Sequence, residues 1–422
     1  MKYVINKYLY CKEKDEKIFI VHILKNTIFT LDKKDYDLLR PETLHVLETE
    51  KPDLFKKMIS TGILVPADIE QKKIFEIKNK VEIFDNRVYR LTINPTLECN
   101  FRCWYCYEKH PKGRMSDNML DCVVKHIQNK IENEKIAMLH LDFFGGEPFL
   151  YYNEIMRPLL QKAKELSINN NVDFFAGATT NGFLITDEQI KEFNDVKLKN
   201  FQITLDGNRN QHNKIRFSVG KKGSFDKIIE NINKLCKIPS IDILLRINYT
   251  EDTLKNIEES VVELSPKARE VVTVKFQQVW QDVYKNQISA EDCEQQFINL
   301  GFKVEQSEFN CKGYVCYADK LQQAVINYDG KVYKCTARDF ATYPADGNLL
   351  ENGNIKWNNE LFIKRFCKAT FDNKYCNACN FLPICYGPCS QKIMELQDEN
   401  HFERICYKNG IISMLEKEIE KS

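Results

Sequence analysis

Residues 98–106 read Glu98-Cys99-Asn100-Phe101-Arg102-Cys103-Trp104-Tyr105-Cys106, a C-x3-C-x2-C run that puts three thiols within eight residues. Thiols so closely spaced converge on one centre only from a loop, and soft thiolates select iron–sulfur clusters or zinc. A four-iron cluster held by three cysteines keeps one iron open to a small molecule, and an open metal position implies chemistry there. The plainer alternative is a zinc site completed by a distant histidine such as His110 or His140.

Forty residues on, the apolar run Leu139 to Phe144 ends in Gly145-Gly146-Glu147-Pro148. Glycines at a strand end permit close backbone approach, and Glu147 can accept from an ammonium group. Taken alone, Gly-Gly-Glu-Pro would be an ordinary strand-ending turn. Together with the cysteine loop and the aromatic Tyr105 just before its last cysteine, it resembles the signature of radical S-adenosylmethionine (SAM) enzymes. The resemblance implies a [4Fe–4S] cluster on Cys99, Cys103 and Cys106, with SAM bound at its open iron. It also implies reductive cleavage of SAM to a 5′-deoxyadenosyl radical that abstracts a hydrogen atom.

The chain holds 16 cysteines, and eight of them form a second spaced set between Cys311 and Cys406. Cys316 is followed by thirteen residues, Gly330, four residues and Cys335; then come Cys376-x2-Cys379-x5-Cys385-x3-Cys389 and, after sixteen residues, Cys406. This pattern resembles the SPASM auxiliary-cluster domain. By that resemblance Cys316, Cys335 and Cys389 hold a first auxiliary [4Fe–4S] cluster, and Cys376, Cys379, Cys385 and Cys406 hold a second. Cys311 stands where some relatives place a fourth ligand to the first, which would close it. Three [4Fe–4S] clusters and SAM are the implied cofactors. Cys122 and Cys236 read as core residues on helix faces.

Between about residues 88 and 285, apolar strands alternate with amphipathic helices, the pattern of parallel α/β structure. Strands are expected at 88–94, 138–144, 172–178, 200–205, 241–247 and 271–279. Helix starts are signalled by Ser116, by Thr186 with Gln189 as a capping box, and by Ser224. Six such units fit the partial (β/α)6 barrel of the family, whose sites gather at the C-terminal strand ends. The resemblance carries SAM contacts to Tyr105, Gly145, Gly146, Glu147, Thr180, Asn181, Thr204, Asp206, Arg246 and Asn248. Each of the last six serves equally well as a strand-end residue satisfying the backbone. His212 and Arg216 match a stretch of SPASM relatives without a role attached, and no general acid or base stands out.

Before the barrel, strand-like Tyr8–Tyr10, Ile18–Ile23 and Thr27–Leu31 precede helical stretches at 34–39 and 43–62 and the apolar run Ile63-Leu64-Val65-Pro66. Three strands followed by helices resemble in layout the winged-helix module that recognises leader peptides in peptide-modifying enzymes. A plain cap over the barrel is the competing reading. The expected division is 1–85 for a leader-peptide recognition domain, 86–290 for the radical SAM partial barrel and 291–422 for the SPASM domain.

Composition narrows the classes. With 61 basic and 60 acidic side chains there is no global field to recruit nucleic acid or a membrane surface. No apolar run reaches 18 residues and the start lacks a secretory profile, so a cytoplasmic protein is expected. The expectation is a radical SAM/SPASM oxidoreductase that crosslinks a ribosomally made precursor peptide carrying a leader, with flavodoxin or ferredoxin as electron donor. One rival is an anaerobic sulfatase-maturing enzyme; that group places an aspartate right after the second cysteine of the first auxiliary set, where this chain has Thr336. The other rival is a non-catalytic iron–sulfur peptide-binding scaffold.

Overall fold

The computed structural model describes residues 2–25, 27–220, 223–283, 288–305, 315–367, 370–396, 402–403 and 405–421. They form two compact units, one of Met1–Asp85, Glu308–Leu321 and Ile363–Ser422, the other of Asn86–Ser307 and Gln322–Phe362.

In the first unit, β1 (Tyr3–Ile5), β2 (Leu9–Lys14), β3 (Lys17–His22), β4 (Thr27–Asp32) and β5 (Leu64–Pro66) make two small sheets. β2, β3 and β4 form an antiparallel meander, and β1 pairs antiparallel with β5. Alternation along β3 explains why the meander is covered on both faces. Ile18 and Ile20 enter a core with Leu39, Leu47, Phe55 and Met58 of the helices that follow. Val21 joins Ile23, Phe381, Ile384, Leu415 and Ile419 on the other side. The helical stretch expected over 43–62 is broken at Lys51 and Pro52 into Leu44–Glu50 and Pro52–Thr61, because the residue before proline is driven out of the helical region.

The second unit is built on an eleven-stranded sheet. Its strands are β6 (Val88–Asn94), β7 (Met138–Phe143), β8 (Asp173–Thr180), β9 (Leu198–Leu205), β10 (Asp242–Tyr249), β11 (Val272–Gln278), β12 (Lys303–Val304), β13 (Gln323–Asn327), β14 (Lys331–Tyr333), β15 (Gly347–Leu349) and β16 (Ile355–Trp357). The spatial order is β12-β11-β10-β9-β8-β7-β6-β13-β14-β15-β16. β6 to β11 are all parallel, and β13 adds parallel to β6 before the sheet turns antiparallel. This is the expected α/β partial barrel, six βα units in an open sheet.

Strict alternation sets its faces. Leu139, Leu141 and Phe143 of β7 are fully buried against the helices, whereas His140 and Asp142 face the other way. Ser116 caps the helix Asp117–Gln128 and Thr186 forms the capping box with Gln189, as the sequence predicts. Ser224 precedes its helix but makes no cap; its hydroxyl donates instead to the Arg216 carbonyl at 2.5 Å. Cys122 and Cys236 are buried. Among the described residues no helix is long and apolar enough to cross a membrane.

Candidate functional site

The cysteine loop follows β6 and is sewn to the turn after β7. Thr96 Oγ1 donates to Gly113 O at 2.5 Å and accepts from Glu98 N at 2.9 Å, while Glu98 Oε1 accepts from Gly113 N at 2.8 Å and from the Tyr151 hydroxyl at 3.1 Å. Across the seam, Glu147 N donates to Glu98 O at 2.8 Å. A β-carbon on Gly145, whose φ is 104°, would strike Thr96 O, and one on Gly146 would strike the carbonyls of Leu97 and Glu98. The glycine pair is there so that the loop can lie on the turn.

Glu147 is fully buried and its carboxylate is already engaged. Oε1 accepts from Thr180 Oγ1 at 2.7 Å and Phe149 N at 3.1 Å, and Oε2 accepts from Asn181 N at 2.8 Å. Asn181 Nδ2 in turn donates to Asn100 Oδ1 inside the cysteine loop at 2.7 Å. Glu147 thus joins the ends of β7 and β8 to the loop, where the sequence suggested a ligand to an ammonium group.

These loops wall a cavity of about 340 Å³, within the usual range for small-molecule sites. Cys99, Cys103 and Cys106 line it. So do Tyr105, Gly145, Gly146, Thr180, Asn181, Thr204, Arg246 and Asn248; Glu147 and Asp206 stand behind the wall. Asp206 is reached by the Tyr105 hydroxyl, which also accepts from Arg216 Nη1 at 2.7 Å and Asn248 Nδ2 at 3.2 Å. Arg216 Nη1 lies 3.7 Å from Asp206 Oδ2, and Arg246 Nε donates to Asn248 Oδ1 at 2.8 Å. His212, wholly buried, accepts from Asp206 N through Nδ1 at 3.3 Å, and its Nε2 lies 2.9 Å from Ser224 Oγ, which fixes the backbone of the β9 turn.

Arg216, left without a role by its sequence, is the hub of this network. Gln202 was also missed, though it lies two residues before Thr204 and so on the same strand face. Glu108, a third cavity residue, is 9% exposed; burial, with Asp339 nearby, pushes its carboxyl up to about 8.

The donor set fits an iron–sulfur cluster better than one metal ion. Burial drives the Cys99 thiol up to about 12 and the Cys106 thiol up to about 11, so these thiols stay neutral until a cation draws off their protons. Cys106 Sγ lies 3.5 Å from His110 Nε2, but among the described residues no three His, Cys, Asp or Glu side chains close on a single ion. His140 stacks on Phe175 with ring centroids 5.2 Å apart and takes no part in the cavity wall. A four-iron cluster binds each thiolate through a different iron, so it does not require the sulfurs to meet at a point. Buried atoms without protein partners, Asp206 Oδ1, Arg216 Nε, Asn100 Nδ2 and Glu108 Oε1, add polar capacity around the cavity.

The first unit carries a second cavity of about 350 Å³, and Cys376, Cys379, Cys385 and Cys406 all line it. These are the four thiols that the resemblance to the SPASM domain assigns to one cluster. Cys316 and Cys389 belong to the same unit and Cys335 to the other, while Cys311 lies outside the described residues.

Six parallel βα units, with a cysteine loop after the first strand and a Gly-Gly-Glu turn after the second, are the architecture of a radical SAM domain. Residues 93–261 match the sequence model of the Radical SAM superfamily, and the chain carries that family's domain. A domain of this family implies a [4Fe–4S] cluster and SAM. The chain is 26% identical over 336 residues to a cysteine-type anaerobic sulfatase-maturating enzyme of Clostridium novyi (strain NT), covering 69% of this chain and 84% of that one. It is 23% identical over 451 aligned positions to the radical SAM cyclopropyl synthase TigE of Paramaledivibacter caminithermalis, covering 92% and 89%. Its fold superposes on Streptococcus suis SuiB, solved bound to the precursor peptide SuiA, with a TM-score of 0.52 at 15% identity, over 94% of this chain and 98% of that one.

Proposed function

We propose that this chain is a radical SAM/SPASM maturase that installs a crosslink, a thioether or a carbon–carbon or carbon–oxygen bond, in a ribosomally made precursor peptide. The observation that carries this reading is the N-terminal meander. Its last strand, β4, pairs on one side only among the described residues, and such an edge accepts an added peptide strand by main-chain hydrogen bonds. The alignment with TigE extends over 92% of the chain, whereas that with the sulfatase-maturating enzyme covers 69%.

In this reading Cys99, Cys103 and Cys106 hold the catalytic cluster, and Cys376, Cys379, Cys385 and Cys406 an auxiliary one. Cys316, Cys335, Cys389 and Cys311 belong to a third. When bound, cluster and SAM would supply a 5′-deoxyadenosyl radical to take one hydrogen atom from the substrate, and the second electron and proton lost as the crosslink closes would leave to an auxiliary cluster and to solvent. The protein's part is to bind and orient. Tyr105, Thr180, Asn181, Thr204, Arg246 and Asn248 offer hydroxyl, amide and guanidinium groups at the cavity wall, with Gly145 and Gly146 beneath the loop and Asp206 and Glu147 holding it from behind. Arg216, buried in the same wall, suits a carboxylate. Flavodoxin or ferredoxin would deliver electrons in a reducing cytoplasm.

The test is anaerobic incubation of reconstituted protein, SAM and reductant with the short peptide encoded beside it. A crosslinked product lighter by two hydrogens is expected; unchanged peptide mass overturns the proposal. The 26% identity to a sulfatase-maturating enzyme favours formylglycine formation as the second reading. Conversion of a cysteine in a sulfatase-derived peptide to an aldehyde, trapped by a hydrazine, would establish that instead.

A further inference from the structure

The four-cysteine cavity is built from the C-terminal segment, yet its surroundings come from the other end of the chain. From Cys376 to Cys389 the segment has little regular structure of its own. Lys374–Asn377 and Leu382–Cys385 are single helical turns, too short to hold a shape unaided. Its support is the N-terminal sheet, within the same compact unit.

Two buried clusters make the junction. Tyr8 and Phe75, edge to face at 4.9 Å, pack with Cys376, Leu382, Tyr386 and Phe402. Val21 and Ile23 pack with Phe381 and Ile384, and Tyr10 lies 5.9 Å from the Phe381 ring. Hydrogen bonds then fix the register. Asn380 Nδ2 donates to Leu9 O at 2.8 Å, and Lys7 Nζ donates to Asn377 O at 2.6 Å. β2 is the first strand of its sheet, and the Leu9 carbonyl meets the Asn380 amide where a further strand would otherwise supply a donor. Asn380 directly follows Cys379, and Asn377 directly follows Cys376. Both bonds therefore act next to cysteines that line the cavity.

We propose that the N-terminal sheet is a structural component of the four-cysteine site, with Asn380 the positioning residue that seats the Cys376–Cys379 segment on β2. The proposal rests on the reading of these cysteines as cluster ligands. The module that offers an edge to a peptide is also the floor under a cluster.

The experiment compares full-length, anaerobically reconstituted wild type, Asn380→Ala, Asn380→Gln and the double variant Cys376→Ala/Cys379→Ala by iron content, EPR and redox titration. Wild type should hold about twelve irons, and the double variant about eight. Asn380→Ala should fall toward the double variant, or retain iron with a broadened EPR signal and a displaced reduction potential for one cluster. Asn380→Gln, which keeps the amide donor, should move back toward wild type. Asn380→Ala with wild-type iron, line shape and potential overturns the proposal. Undiminished iron in the double variant overturns it at its premise, by showing that these cysteines bind no cluster. Should Asn380→Ala fail to fold, Lys7→Ala breaks the second bond to the same segment and is read in the same way.

Discussion

The hydroxyl of Thr180 donates to Glu147 Oε1 at 2.7 Å, tying the end of β8 to the turn after β7 inside a fully buried pocket. The acid of the Gly-Gly-Glu motif is therefore part of the wall's own bracing. Burial raises its carboxyl above the usual range, and three donors from Asn181, Thr180 and Phe149 oppose that rise.

Glu147→Gln keeps the volume but turns an amide NH2 toward groups that themselves donate. Hydrogen bonds to a charged acceptor contribute about 1.5–3 kcal/mol each, and an unmatched buried donor costs about the same. A loss of about 2–3 kcal/mol in unfolding free energy is expected, read from the urea midpoint of the apo protein. An unchanged midpoint with weakened SAM binding would show the carboxylate turned to the ligand instead.

Asp206 and Arg216 form a buried pair whose Oδ2 and Nη1 lie 3.7 Å apart around the Tyr105 hydroxyl. Asp206→Asn leaves a buried guanidinium without its counter-charge, and breaking such a pair costs about 3–5 kcal/mol. Asp206→Asn/Arg216→Met removes both charges and should recover much of that loss. The check is a double-mutant cycle by chemical denaturation; strictly additive losses would mean the two groups do not act as a pair.

His126 lies buried between the Tyr89 hydroxyl at 2.6 Å and Gly353 O at 2.7 Å, where its helix meets the loop joining β15 and β16. Burial, assisted by Lys130, lowers its pKa from 6.5 to about 4. The unfolded chain therefore binds the proton more readily than the folded one between those values. Stability is complete above about pH 6.5 and is lost as pH falls toward 4, by up to about 3 kcal/mol. Unfolding midpoints of wild type should fall across that window, whereas those of His126→Asn should fall less; parallel curves would remove His126 from the acid response.

Much of the barrel was legible because its strands bury alternate residues. Val88–Asn94 begins and ends where the apolar pattern does, and the other five strands lie within about two residues of their expected spans. The motif loops could be read too, since three thiols in eight residues leave few geometries. Short elements that depend on distant partners were not legible. β1 is three residues long and exists because Val4 lies opposite Val65, some sixty residues away. Pairing at that range leaves no local periodicity. Ser224 has the chemistry and position of a cap, yet the Arg216 carbonyl takes its hydroxyl, a choice that only the folded end of the helix Arg209–Ile215 creates. Arg216 itself could be noticed but not placed, because its partners Tyr105 and Asp206 come from other loops. Nor could any pattern show that residues 1–85 share a compact unit with 363–422.

Gly146 leaves no space for even a methyl group between the turn and the carbonyls of Leu97 and Glu98. Two stretches separated by some forty residues are thus a matched pair, each the mould of the other. Anyone grafting the cysteine loop onto another scaffold, or shuffling this gene with a cousin's, must carry the turn along with it. A crossover placed between them would join pieces cast for different partners.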